Sequence, residues 1–235
     1  LFAGVSLANA TVVENDVRQT LDEGAEFTCD VVNNPTCSDA EPTETTVVTG
    51  ESAAPADSTD ASGSAAPPVV VETTTTTTAP PVPIARLSLG DSVMLGAAGE
   101  LTERGYTVDA KESRQFSDGR AIVEQLRAEG RLGDVVVVHL GTNGDINSGD
   151  LTAMMDALAE VPQVLLLTID VDRSWTARNN DLLINAASSY PNASVLYWAD
   201  LTDSCPGDCF QNDGYHLRPD GQTYYAALID GALPW

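Results

Sequence analysis

From residue 84 onward, short apolar runs alternate with stretches whose apolar residues recur every three or four positions. Pro83 to Leu89 reads as a buried strand, and Ala97 to Leu101 as the helix that follows it. Tyr106 to Ala110 reads as a second, short strand. Asp118 to Glu129 places Ile122, Val123 and Leu126 on one helical face. Asp134 to Leu140 is an unbroken β-branched run, the pattern of a strand covered on both sides. Further on, the pattern predicts helices over Gly149–Glu160, Asn179–Ser189 and Pro219–Ile229, with strands over Val164–Ile169 and Ser194–Trp198 between them. Strands that alternate with helices in this way build a mostly parallel, five-stranded sheet with helices on both faces. In such α/β sheets, sites form at the carboxyl ends of the strands.

Ahead of residue 84 this pattern stops. Residues 9–40 are polar and acidic and carry Cys29 and Cys37. Residues 41–83 are rich in Thr, Pro, Ala, Ser and Glu and include the threonine run Thr73 to Thr78. That composition buries too little apolar area to offset the entropy of ordering it, so the stretch reads as a disordered linker. The chain divides into a membrane-proximal segment over 1–40, a linker over 41–83 and a folded domain over 84–235. On this reading the linker is a stalk that sets how far the folded domain reaches. Leu1 to Ala8 is apolar but too short to cross a bilayer. It reads equally as the tail of a membrane helix or as an ordinary apolar start.

Charge and cysteine usage narrow the classes. The formal net charge is -24 and the pI about 4.1. The acidity is spread over both parts of the chain, with 13 acids to 1 base over 1–84 and 22 to 10 over 85–235. This argues against nucleic acid as a partner, because displacing its counterions takes Lys and Arg. An anionic membrane surface is disfavoured for the same reason. Cys29 and Cys37 form one close pair, Cys205 and Cys209 another. Of the three pairings open to four cysteines, the local one is favoured. Neither pair is C-x-x-C, and there are only two histidines, which argues against a zinc site. Two disulfides imply an oxidising compartment.

Three predicted loops carry side chains suited to acyl transfer. The first is Gly90-Asp91-Ser92, where a strand turns into a helix. A hydroxyl there sits beside backbone N–H groups that lack intrahelical partners, a place where an oxyanion is stabilised. Ser92 or Asp91 as a simple helix cap is the competing reading. The second loop is Gly141-Thr142-Asn143-Gly144, and the third is Asp213-Gly214-Tyr215-His216. A serine hydroxyl needs a base to become a nucleophile, and His216 can be that base. Asp213, three residues earlier, can hold the imidazole in the required tautomer. Asn143 and the Ser92 backbone N–H are candidate oxyanion donors. His139 lies within the valine strand and reads as a core or supporting residue. Taken singly, each residue also fits a turn, a cap or the surface.

The G-D-S block at Gly90 to Ser92, the G-x-N block at Gly141 to Asn143 and the D-x-x-H block at Asp213 to His216 resemble the SGNH (GDSL-type) hydrolase superfamily over residues 84–235. The resemblance implies a flavodoxin-like three-layer α/β/α fold, a triad of Ser92, His216 and Asp213, and Asn143 as an oxyanion donor. Asp109-Ala110 with Ser113-Arg114-Gln115, Leu140 to Gly144, and Arg173-Ser174-Trp175 with Asn180 are similar to exported SGNH domains fused to acyltransferase-3 membrane domains. The best-known of these are peptidoglycan O-acetyltransferases. Where the superfamily carries an oxyanion glycine, this chain has Ser113. Arg173, Trp175 and Asn180 are candidate substrate contacts, or parts of the frame. A Cys205–Cys209 disulfide would stiffen the loop that carries the acid and base.

The function so implied is an extracytoplasmic serine O-acetyltransferase, tethered to the membrane through its N-terminal side. It would move an acetyl group through a Ser92 acyl-enzyme to a cell-wall glycan hydroxyl, with the donor delivered by an acyltransferase-3 membrane domain. Neither a metal nor a diffusible cofactor is implied. Two alternatives use the same residues differently: an esterase or deacetylase that passes the acetyl group to water, and a non-catalytic wall-binding module.

Overall fold

The computed structural model describes residues 16–34, 36–37 and 82–233. The apolar start Leu1 to Ala8 and the linker, apart from Val82 and Pro83, lie outside these residues. A helix over 16–25, α1, comes first. It is followed by β1 (Ile84–Gly90), α2 (Ser92–Gly96), α3 (Ala98–Glu103), β2 (Thr107–Ala110), α4 (Phe116–Ala128), β3 (Leu132–His139) and α5 (Ser148–Ala157). Then come β4 (Gln163–Leu167), α6 (Thr176–Ser189), β5 (Ala193–Leu196), α7 (Trp198–Leu201) and α8 (Pro219–Ala232).

The five strands are all parallel, in the order β2-β1-β3-β4-β5. This is the flavodoxin-like order, whose ligand crevice opens where β1 and β3 part at their carboxyl ends. Apolar side chains leave the sheet in both directions, which is why β3 shows no polar alternation. One core layer packs Leu87, Leu89, Val136 and Val138 against α4, α5 and α6. The other packs Val135, Val137, Leu165 and Leu167 against α2, α3 and α8.

Element ends differ from the pattern where caps or tertiary contacts decide them. The apolar period starts α4 at Asp118, but the helix starts at Phe116. The Gln115 backbone N–H donates to the Asp118 carboxylate at 3.1 Å, a capping-box contact that closes the first turn earlier. The expected strand Ser194–Trp198 ends at Leu196. Trp198 instead opens α7, buried with its ring edge-on to Tyr225 at 5.0 Å between centroids.

The described part of the 1–40 segment packs on the domain that begins at residue 84. Leu21 of α1 joins the core layer under α2 and α8. Gly24 lies so close to α2 that a Cβ would fall 2.0 Å from the Leu95 carbonyl oxygen. The chain then runs along the outer edge of the sheet. Thr28 bridges Val108 in parallel sense, and the Cys29 N–H donates to the Val108 carbonyl at 2.8 Å. The Cys29–Cys37 disulfide closes the turn that follows. Helix α1 lacked a signal because its apolar stripe, Val17 and Leu21 one turn apart, is too short to rise above its acidic surroundings.

Candidate active site

Ser92 is the first residue of α2, and the cap of that helix is Asp91. The Val93 N–H donates to Asp91 Oδ1 at 3.1 Å. Capping therefore falls to the aspartate, which leaves the serine hydroxyl for another partner. Gly90 permits the sharp exit from β1, since a Cβ there would lie 2.4 Å from the Met94 side chain. Burial lifts the Asp91 carboxyl to about 6, against the pull of hydrogen bonds from Val93 and Thr142.

The partner of Ser92 comes from the loop ahead of α8. Ser92 Oγ lies 3.0 Å from His216 Nε2, and His216 Nδ1 lies 2.7 Å from Asp213 Oδ2. Asp213 Oδ1 accepts from the backbone N–H groups of Tyr215 and His216 at 3.2 and 3.1 Å. Burial raises the Asp213 carboxyl, but these hydrogen bonds outweigh it and hold the group below its ordinary value. An ionised Asp213 favours the tautomer with the proton on Nδ1, so that Nε2 can accept from Ser92. The loop is held at its base. The Gln211 N–H donates to the His216 carbonyl at 2.8 Å, and the Arg218 N–H to the Cys209 carbonyl at 2.9 Å. Cys209 is buried and bonded to Cys205.

Asn143 follows β3 and lines the same cavity as Ser92. One of its amide N–H groups donates to the Arg114 carbonyl at 3.3 Å, which fixes the side chain and leaves its second N–H. Gly141 holds this turn with φ of 123°, a conformation that favours glycine. Asn179, which the motifs did not indicate, shapes the turn from α6. It donates to the carbonyls of Gly141 and Gly144 at 3.1 and 2.8 Å and accepts from the Ile146 N–H at 2.9 Å. Its signal was only its place in a helix that starts on the active edge.

Ser113, also in the cavity wall, has φ of 58°, the sole positive φ outside glycine among the described residues. A serine thus stands in the left-handed region that favours glycine. Arg114 beneath it is buried, with its guanidinium on Asp109 and on the carbonyls of Asp109 and Gly90.

The remaining candidates lie off the cavity wall. The Asn180 amide is occupied by one backbone residue: Oδ1 accepts from the Ile169 N–H at 2.8 Å and Nδ2 donates to the Ile169 carbonyl at 2.9 Å. Trp175 caps α6, and Arg173 donates to the Asp172 carbonyl at 2.9 Å while facing Tyr215 electrostatically. His139 is buried, with Nδ1 2.8 Å from the Tyr225 hydroxyl. No group of three or more His, Cys, Asp or Glu suited to a metal ion occurs among the described residues.

Serine, histidine, aspartate and asparagine thus converge on one cavity of about 630 Å³. Its wall also takes Val17, Arg18 and Leu21 from α1, which were not foreseen.

The five-stranded parallel sheet with its flanking helices is the SGNH hydrolase fold. The C-terminal catalytic domain of peptidoglycan O-acetyltransferase A (OatA) from Streptococcus pneumoniae, with a methylsulfonyl adduct, shares this fold at a TM-score of 0.56 and 21% identity, over 65% of this chain and 93% of that one. In sequence, the chain is 32% identical over 146 residues to O-acetyltransferase OatA of Staphylococcus aureus and 29% identical over 149 residues to peptidoglycan O-acetyltransferase OatA of Listeria monocytogenes. The two matches take 61% and 63% of this chain but 24% of each relative, so the chain spans about a quarter of their length. No family model matches the chain.

Proposed function

We propose that this protein is an extracytoplasmic serine O-acetyltransferase acting on cell-wall glycan. The carrying observation is the hydrogen-bonded series Ser92, His216, Asp213 opening into a cavity that Asn143 also lines. The similarity to relatives named as peptidoglycan O-acetyltransferases supports the choice of acceptor.

In the first half-reaction Ser92 Oγ attacks the acetyl carbonyl of the donor, and His216 Nε2 takes the hydroxyl proton. Asn143 Nδ2 and the backbone N–H groups of Ser92 and Ser113 receive the charge that forms on the carbonyl oxygen. His216 returns the proton to the leaving group, and an acetyl-Ser92 ester remains. In the second half-reaction a glycan hydroxyl enters, by family resemblance the C6 hydroxyl of N-acetylmuramic acid. His216 deprotonates it, it attacks the ester, and Ser92 regains its proton. A membrane acyltransferase-3 domain supplies the acetyl group in this reading, and the protein is held at the cell surface through its N-terminal side. The two disulfides are compatible with that compartment.

The test supplies the full chain with a chromogenic acetyl ester, with and without a cell-wall oligosaccharide, and follows the sugar by mass spectrometry. Acetylated sugar that disappears in Ser92→Ala is the expected result. Free acetate that sugar does not divert would make the protein an esterase. Neither product from folded protein would leave a wall-binding module.

A further inference from the structure

Helix α1 lies upstream of the linker, yet one of its faces is built into the active site. Val17, Thr20, Leu21 and Gly24 share that face, at the spacing of an amphipathic helix. Thr20, Leu21 and Gly24 are buried, and Val17 is half-buried. Val17 and Leu21 line the cavity that holds Ser92 and His216. Leu21 shares a core layer with Val93 and Leu95 of α2, the helix that Ser92 opens. Gly24 stands against the Leu95 carbonyl, where any side chain would collide.

The polar member of the face meets the acid–base loop. The Thr20 hydroxyl accepts from Gln211 Nε2 at 3.3 Å and donates to the Asp16 carbonyl at 3.1 Å. Gln211 is also buried, and its backbone closes the loop that carries Asp213 and His216. Its N–H donates to the His216 carbonyl at 2.8 Å, and its carbonyl accepts from the Gly214 N–H at 2.9 Å. Gln211 thus holds the loop beside Asp213 and again at His216, and Thr20 holds Gln211. A valine at position 20 would keep the shape but deprive a buried amide N–H of its acceptor.

We propose that α1 is a positioning element of the active site: Thr20, acting through Gln211, holds the loop that presents Asp213 and His216 to Ser92. This rests on the reading of Ser92, His216 and Asp213 as a triad. The contact so protected is the 3.0 Å between Ser92 Oγ and His216 Nε2. Proton transfer needs that reach, and small displacements of the base cost rate steeply. Thr20 is absent from the cavity wall, so its effect falls on turnover of bound ester and not on ester binding.

The experiment is steady-state turnover of 4-nitrophenyl acetate by the full chain, read well below the Tm of every variant so that each stays folded. Thr20→Val should lower kcat about fivefold, the scale of one neutral hydrogen bond, with KM unchanged. Thr20→Ser keeps the hydroxyl and should retain most of the wild-type kcat. Gly24→Ala pushes α1 off the Leu95 carbonyl and should lower kcat about tenfold or more. Gly231→Ala, at an open position of α8, is the control and should leave kcat unchanged. Wild-type kcat in Thr20→Val, equal losses in Thr20→Val and Thr20→Ser, or a Gly24→Ala protein that loses Tm alone would each overturn the proposal. Failure of the catalytic reading would show separately, as acetyl-ester turnover that survives in Ser92→Ala.

Discussion

The backbone N–H of Val31 donates to Asp109 Oδ2 at 3.2 Å, although the two residues lie 78 positions apart. The other oxygen of Asp109 holds the Arg114 guanidinium. Arg114 in turn reaches the Gly90 carbonyl just before Ser92, and its own carbonyl accepts from Asn143. One buried carboxylate therefore ties the sheet-edge segment to both loops that flank the serine. Asp109→Asn leaves a buried guanidinium without its counter-charge, which costs about 3 kcal/mol or more. For a unit of this size that lowers Tm by roughly 6–12 °C. A melting curve that superimposes on wild type would show that the pair contributes nothing to folding.

The proposed triad makes graded predictions. Ser92→Ala and His216→Ala should each lower kcat for a small acetyl ester by about a thousandfold or more, with little change in Tm. Asp213→Asn keeps the shape but offers Nδ1 a donor as readily as an acceptor, so a loss of about a hundredfold or more is expected. Asn143→Ala should cost roughly a hundredfold if its free N–H meets the oxyanion. Steady-state kinetics with 4-nitrophenyl acetate reads all four.

Ser113 supplies a test of backbone conformation. A left-handed residue with a side chain costs about 1 kcal/mol relative to glycine. Ser113→Gly should therefore keep or raise stability and retain turnover. Ser113→Val adds a branched Cβ to the same φ and should lower both. Thermal melts and ester kinetics on the two variants check the pair. Equal behaviour of glycine and valine would mean that the loop adopts another conformation in solution.

The alternation of strand and helix was legible because it is written locally, in β-branched runs such as Val135 to Val138 and in helical spacing such as Ile122, Val123 and Leu126. The three site loops were legible because short blocks of fixed residue types mark them. Other features were not, because they are made between distant parts of the chain. Asn179 looks like any helical asparagine until its amide is seen to span Gly141, Gly144 and Ile146. Asn180 has the same composition and a different task, tied to Ile169. The place of α1 in the cleft wall has no local mark, since only Leu21 of its apolar stripe is fully covered and the cover comes from residues beyond the linker.

Two buried groups oppose each other in acid. Burial pushes the His139 imidazole from 6.5 down to about 3. Between those values the unfolded chain takes up a proton that the folded chain refuses, so stability falls as pH drops through this window. Asp91 has the opposite sign. Burial lifts it from 3.8 to about 6, the folded chain takes the proton first, and stability rises as pH falls from about 6 towards 4. Asp91→Asn removes the second effect alone. Its Tm should fall more steeply than that of wild type between pH 6.5 and 4. Parallel curves would count against a buried, titrating Asp91.

Residues 16–34 and 36–37 belong to the same compact unit as residues 82–233. Joining two fixed points of a fold carries a closure entropy that grows only with the logarithm of the intervening length, about 0.6 kcal/mol per doubling. Changes of length between Cys37 and Val82 should therefore cost the cleft little.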